Sequence, residues 1–130
     1  MKQFRVLVVD DEVGVCELIG DALSMHGHHV TCRENGVEAL DFLAGHEVDV
    51  VFLDIRMPKG DGLTALKKMR KRWPSLPVVM ITGCNQREVI DQSLQMGPLA
   101  CLVKPFSMRD VLDILGVLDE DSAVSSRHGM

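Results

Sequence analysis

Apolar and polar positions along the chain follow two alternating patterns. Short apolar, β-branched runs stand at Arg5–Val9, Val30–Arg33, Val48–Leu53, Val78–Ile81 and Leu99–Val103. Their length and residue types predict strands. The stretches between them are longer and place apolar residues at helical spacing. Val15, Leu18, Ile19, Ala22 and Leu23 form one such stripe, and Met108, Val111, Leu112, Leu115 and Leu118 form another. Asn35 with Glu38, and Ser107 with Asp110, read as helix N-caps with a reciprocal acid. Gly27, Gly45 and Gly97 stand where helices should stop. Helices are expected over about 13–26, 36–44, 62–72, 85–96 and 107–118.

Strands alternating with helices require crossover connections, so the pattern predicts an α/β fold, (βα)5, with a parallel sheet. The third run, Val50-Val51-Phe52-Leu53, is apolar on successive residues, as a strand covered on both faces should be. After Leu118 the composition turns polar. Residues 1–118 are therefore expected to form one domain, and 119–130 a disordered polar tail with no second domain after it.

Composition narrows the class. A chain of 130 residues with 46% apolar and 25% charged residues suits one soluble domain. No apolar run is long enough to span a bilayer, and the N-terminus lacks the pattern of a signal peptide. The expected location is the cytoplasm. A formal net charge of −5 argues against direct nucleic-acid binding. The one basic run, Lys67, Lys68, Arg70, Lys71 and Arg72, reads as a solvated helix C-terminus. Cys16, Cys32, Cys84 and Cys101 form no C-x-x-C pair, and they read as small buried hydrophobes rather than a disulfide or metal site. His26, His28 and His29 read as surface turn residues.

Polar residues fall at the ends of the apolar runs. Asp10-Asp11 follows the first strand and Asp54 ends the third, while Thr82 follows the fourth and Lys104 the fifth. In a parallel sheet every strand points the same way, so these residues must meet at the carboxyl edge, where open α/β sheets bind ligands. Close carboxylates repel unless a cation compensates. Oxygen ligands of this kind suit Mg²⁺, with Mn²⁺ able to substitute. A carboxylate beside that metal can attack phosphorus and form an acyl phosphate. The metal and Lys104 would stabilise the transferring charge, and the Thr82 hydroxyl could donate to a phosphoryl oxygen.

The sequence resembles the response-regulator receiver family of two-component signalling systems. The likeness lies in Val8-Val9-Asp10-Asp11-Glu12, Leu53-Asp54-Ile55-Arg56-Met57-Pro58-Lys59-Gly60-Asp61-Gly62, Val79-Met80-Ile81-Thr82-Gly83 and Leu102-Val103-Lys104-Pro105-Phe106, and covers about residues 4–118. It implies a doubly wound, flavodoxin-like three-layer sandwich with strand order 2-1-3-4-5. It further implies that Asp54 is the phosphoacceptor and that the metal is held by Asp10, usually through water, by Asp11 and Asp54, and by the backbone carbonyl of Arg56. Thr82 and Lys104 would bind the phosphoryl group, Gly83 would leave room for it, and the Lys104–Pro105 bond would be cis. The implied partners are a histidine kinase or phosphotransfer protein and a downstream protein or output domain. Dimerisation on phosphorylation stays open. The partner surface would comprise the fourth helix, fifth strand and fifth helix, with Ile114 and Val117 either on that face or in a wider core. Such a protein is a signalling phosphoacceptor rather than an enzyme.

Two positions depart from the family pattern. Cys101 stands where the family often has a switch aromatic, and Pro98 follows Gly97 where Ala is common. Arg56 and Cys84 fall at positions that tune dephosphorylation in relatives. Three rival readings are weaker. A non-phosphorylated interaction module would not need the acid cluster, Thr82 and Lys104. An Asp-x-Asp phosphatase would need an acid where Arg56 stands. A nucleotide-binding fold would need a glycine-rich phosphate loop, and neither standard pattern occurs.

Overall fold

A computed structural model describes residues 3–55, 62–83, 91, 95 and 97–128, without the side chains of 120–128. Five strands, β1 (Arg5–Val9), β2 (His29–Arg33), β3 (Val50–Asp54), β4 (Val78–Thr82) and β5 (Ala100–Val103), form one sheet in the order β2-β1-β3-β4-β5. Every pairing is parallel. Among the described residues three helices lie between strands: α1 (Val13–Ser24), α2 (Gly36–Gly45) and α3 (Gly62–Arg72). A C-terminal helix runs over Met108–His128. The helix expected over 85–96 lies outside the described residues, apart from a helical Asp91 and Gln95 in a turn.

Alternation along the strands builds the layers. Val6, Val8, Val50, Phe52, Val79 and Ile81 point to one face, where they pack with Ile19 and Leu23 of α1 and Val111, Leu115 and Leu118 of the C-terminal helix. Leu7, Val9, Val51, Leu53, Val78 and Met80 point to the other, against Ala39 and Leu43 of α2 and Leu66 and Met69 of α3. The β3 and β4 residues are buried throughout, so both faces of the sheet centre are covered. Burial of this apolar area is the main stabilising contribution to the fold.

The caps form as the sequence predicts. The Glu38 amide donates to Asn35 Oδ1 at 2.9 Å. Ser107 and Asp110 cap reciprocally, with the Asp110 amide on Ser107 Oγ at 3.2 Å and the Ser107 amide on Asp110 Oδ2 at 3.0 Å. Gly27 and Gly97 have φ of 84° and 65°, the left-handed region expected after a helix. Arg70 does more than solvate a helix end. Its guanidinium donates to the Leu76 carbonyl at 2.5 Å and the Gly97 carbonyl at 3.1 Å, tying α3 to the segment before β5.

Three expectations need correction. His28 is buried, unlike the exposed His26 and His29, and its Nδ1 accepts the Phe4 amide at 2.9 Å. It lines a small cavity between Phe4 and the C-terminal helix. Cys16 and Cys32 are joined as a disulfide with Cα atoms 6.2 Å apart. Sequence spacing does not reveal the pair, because α1 folding back over β2 is what brings it together. The C-terminal helix continues ten residues beyond the expected end at 118, to His128. Its apolar stripe marks where the helix is anchored, Leu118 being the last core residue among its described side chains, but not where it stops. Of the two residues set off its main stripe, Ile114 packs on the core and Val117 is exposed.

Candidate functional site

Register alone brings the polar residues together. Val9 pairs with Leu53, so Asp10 and Asp54 leave adjacent strands side by side. Thr82 pairs with Val103, which sets Lys104 just beyond it. Backbone bonds fix these ends: the Asp10 amide donates to the Arg33 carbonyl at 3.1 Å, and that of Ile55 to the Ile81 carbonyl at 3.0 Å. The Lys104 amide donates to the Thr82 carbonyl at 2.8 Å. The Lys104–Pro105 peptide is cis.

The side chains converge on Lys104. Its Nζ lies 2.5 Å from Glu12 Oε1, 3.4 Å from Asp10 Oδ2 and 3.5 Å from Asp54 Oδ2. Asp10, Asp54 and Thr82 are buried. Asp10 Oδ1 accepts the Glu12 amide at 2.9 Å, whereas the buried Oδ2 has no hydrogen-bond partner. Thr82 Oγ1 donates to the Gly83 carbonyl at 3.1 Å.

Electrostatics follow from this crowding. Burial pushes the Asp10 carboxyl up to about 7 and the Asp54 charge adds to the rise, while the Glu12 amide and Lys104 oppose it. Burial works against charge on Lys104 as well, but Glu12, Asp10 and Asp54 together raise its pKa. One ammonium thus faces three carboxylates, which leaves the site short of positive charge.

Carboxylate oxygens of Asp10, Glu12 and Asp54 all lie within 4.8 Å of one another, a donor set able to hold a metal ion. The buried Asp10 Oδ2 takes no hydrogen bond and has only the Lys104 ion contact at 3.4 Å, which fits a hard divalent cation. The strand-end pattern of the sequence does not single out Glu12 as a site residue. The signal was its place directly after the acidic pair. Asp11 is exposed and not one of the three converging carboxylates. Arg56 and Cys84 lie outside the described residues, as do Met57, Pro58 and Asp61. Cys101 is half-buried beside the core formed with α2 and α3, and burial pushes its thiol pKa up.

Among the described residues a cleft of about 680 Å³ lies at the opposite end of the strands, between Arg5, Asp49, Trp73 and Pro77. Size does not mark the site in this fold; convergent charge does.

Known proteins share the family and the fold. The chain is 36% identical over 107 residues to the regulatory protein AtoC of Escherichia coli (strain K12), covering 82% of this chain and 23% of that protein. It is 29% identical over 113 residues to sporulation initiation phosphotransferase F of Bacillus subtilis (strain 168), covering 87% of this chain and 91% of that protein. The crystal structure of the receiver domain of NtrX from Brucella abortus superposes with a TM-score of 0.83 at 32% identity, over 88% of this chain and 98% of that one. The chain spans 23% to 47% of the length of several curated relatives it matches. The profile of the response regulator receiver domain matches residues 6–116, and the chain belongs to that family.

Proposed function

We propose that Asp54 accepts a phosphoryl group from the phosphohistidine of a histidine kinase or phosphotransfer protein. Mg²⁺, or Mn²⁺ in its place, would be held by Asp10, Asp11, Asp54 and the Arg56 carbonyl. An exposed side chain such as that of Asp11 reorients readily, and it stands next to the cluster. The cation supplies charge neutralisation for the phosphoryl oxygens. One Asp54 carboxylate oxygen attacks phosphorus as the P–N bond breaks, and the leaving imidazole keeps the electron pair and takes up a proton. Lys104 stays with the phosphoryl oxygens, and the Thr82 hydroxyl turns from the Gly83 carbonyl toward one of them. The single observation that carries this reading is the Lys104 ammonium 3.5 Å from a buried Asp54 oxygen and 3.4 Å from a buried Asp10 oxygen.

Phosphorylation then shifts a two-state equilibrium, because the new dianion attracts Thr82 and Lys104 more strongly in one conformation. The partner face comprises the fourth helix expected over 85–96, β5 and the C-terminal helix, and Val103 and Val117 are exposed on the last two. A downstream protein or output domain docks there. Residues 1–118 form the working unit, 119–130 are its polar extension, and the chain acts in the cytoplasm. It takes one phosphoryl group and does not turn over a substrate. Among the described residues no helix is long and apolar enough to cross a membrane.

Incubation with acetyl phosphate and Mg²⁺, followed by intact-mass measurement, tests the proposal. The expected result is one phosphoryl adduct that Asp54→Asn abolishes. No adduct on folded protein would instead support a non-phosphorylated interaction module on the same fold.

A further inference from the structure

The Cys16–Cys32 pair sits at a mechanically sensitive place. Cys32 pairs with Val8 near the end of β1, and the next β2 carbonyl, that of Arg33, holds the Asp10 amide at 3.1 Å. Cys16 lies in the first turn of α1, and its amide reaches the Glu12 carbonyl at 3.4 Å. The segment between β1 and α1 carries Asp10, Asp11 and Glu12. It is therefore bounded on one side by the β1–β2 ladder and on the other by the Cys16–Cys32 link. A Cα separation of 6.2 Å is within reach of a disulfide without backbone movement. Both cysteines are half-buried, so a small reagent can approach.

We infer that Cys16 and Cys32 are a reversible thiol–disulfide pair whose oxidation clamps the acid segment and favours metal and phosphoryl binding. The coupling rests on the phosphoacceptor reading; the redox site does not. A thiolate of one cysteine attacks a low-molecular-weight disulfide, releasing one small thiol and leaving a mixed disulfide. The second cysteine's thiolate attacks the protein sulfur of that mixed disulfide, forms the Cys16–Cys32 bond and releases the second small thiol. The two cysteine protons end on the two released thiols, and the small disulfide is the species reduced. A segment already ordered by the link loses less freedom when it binds a cation.

The test uses the full chain equilibrated at a series of glutathione disulfide to glutathione ratios, then alkylated and mapped by mass. Loss of alkylation at residues 16 and 32 together, restored by dithiothreitol, is expected. Continued alkylation of both at every ratio overturns the proposal. The oxidised form should take up phosphoryl from acetyl phosphate at least about threefold faster than the reduced form, as pre-organisation favours. The difference should vanish in the Cys16→Ala/Cys32→Ala double variant. Equal rates in the two redox states, or a difference that survives in the double variant, overturn the coupling. If neither form gains an adduct, the phosphoacceptor reading fails on its own. Calorimetric Mg²⁺ titration of the two forms then decides the coupling: tighter binding by the oxidised form supports it, and equal binding overturns it.

Discussion

Gly62 leaves no room for a side chain against Ile55. A Cβ at Gly62 would come within 2.6 Å of Ile55 Cα, and nearer still to the Asp54 carbonyl oxygen. The first residue of α3 thus packs directly on the main chain that presents the Asp54 carboxylate. These neighbours are backbone atoms at the end of a fully buried strand, so they cannot give way as a flexible side chain would. Gly62→Ala is expected to destabilise the fold by about 2 kcal/mol or more and to lower phosphoryl uptake. Gly20 in α1 has nothing within 4 Å of such a Cβ, so Gly20→Ala should instead stabilise by about 0.5–1 kcal/mol. Thermal melts of the two variants check the contrast.

Lys104 is the counter-charge for three carboxylates, two of them buried. Replacing it by Met keeps much of the apolar stem but leaves the acids to repel one another. Lys104→Met is expected to cost about 2 kcal/mol in metal-free protein, less than a fully buried pair would because the ammonium is partly exposed. Added Mg²⁺ should restore part of the loss. Denaturant melts with and without Mg²⁺ measure both effects; a loss that Mg²⁺ leaves unchanged would argue against cation binding at this cluster.

His28 gives the fold a pH dependence with a definite sign. Burial lowers its pKa and nearby His26 adds to the effect, against a smaller opposing pull from Asp119. Its Nδ1 accepts the Phe4 amide, so a proton there would remove an acceptor from a buried N–H. The folded state therefore binds this proton less readily than the unfolded state. The stability contributed by neutral His28 is fully present above the ordinary histidine value of about 6.5 and is lost as pH falls through the lower folded value. Thermal melts from pH 8 to 5 should show this decline. His28→Asn, which offers a carbonyl oxygen in place of Nδ1, should flatten it.

Much of this molecule is legible in its sequence. The five strands lie within two residues of their expected bounds because a sheet covered on both faces demands short, dense apolar runs. The caps at Asn35 and Ser107 are local chemistry, and local chemistry reads directly from spacing. The convergence of Asp10, Asp54, Thr82 and Lys104 follows from parallel topology. What stays hidden depends on packing between distant segments. His28 looks like a turn residue until the C-terminal helix covers it. Cys16 and Cys32 look unrelated until α1 crosses β2. Glu12 rather than Asp11 meets Lys104 because the first turn of α1 sets which way each side chain leaves, and strand-end logic does not resolve that detail.

The amide of Lys104 hangs on the carbonyl of Thr82 at 2.8 Å, so these two residues are not independent levers. Any ligand that draws the Thr82 main chain inward tows the last rung of the sheet's outer strand with it. A chain with Cys101 in place of a swivelling ring therefore still has a route out of the pocket. The motion can leave through the peptide framework of β4 and β5 and reach the rim at Val103 without a ring swinging at position 101.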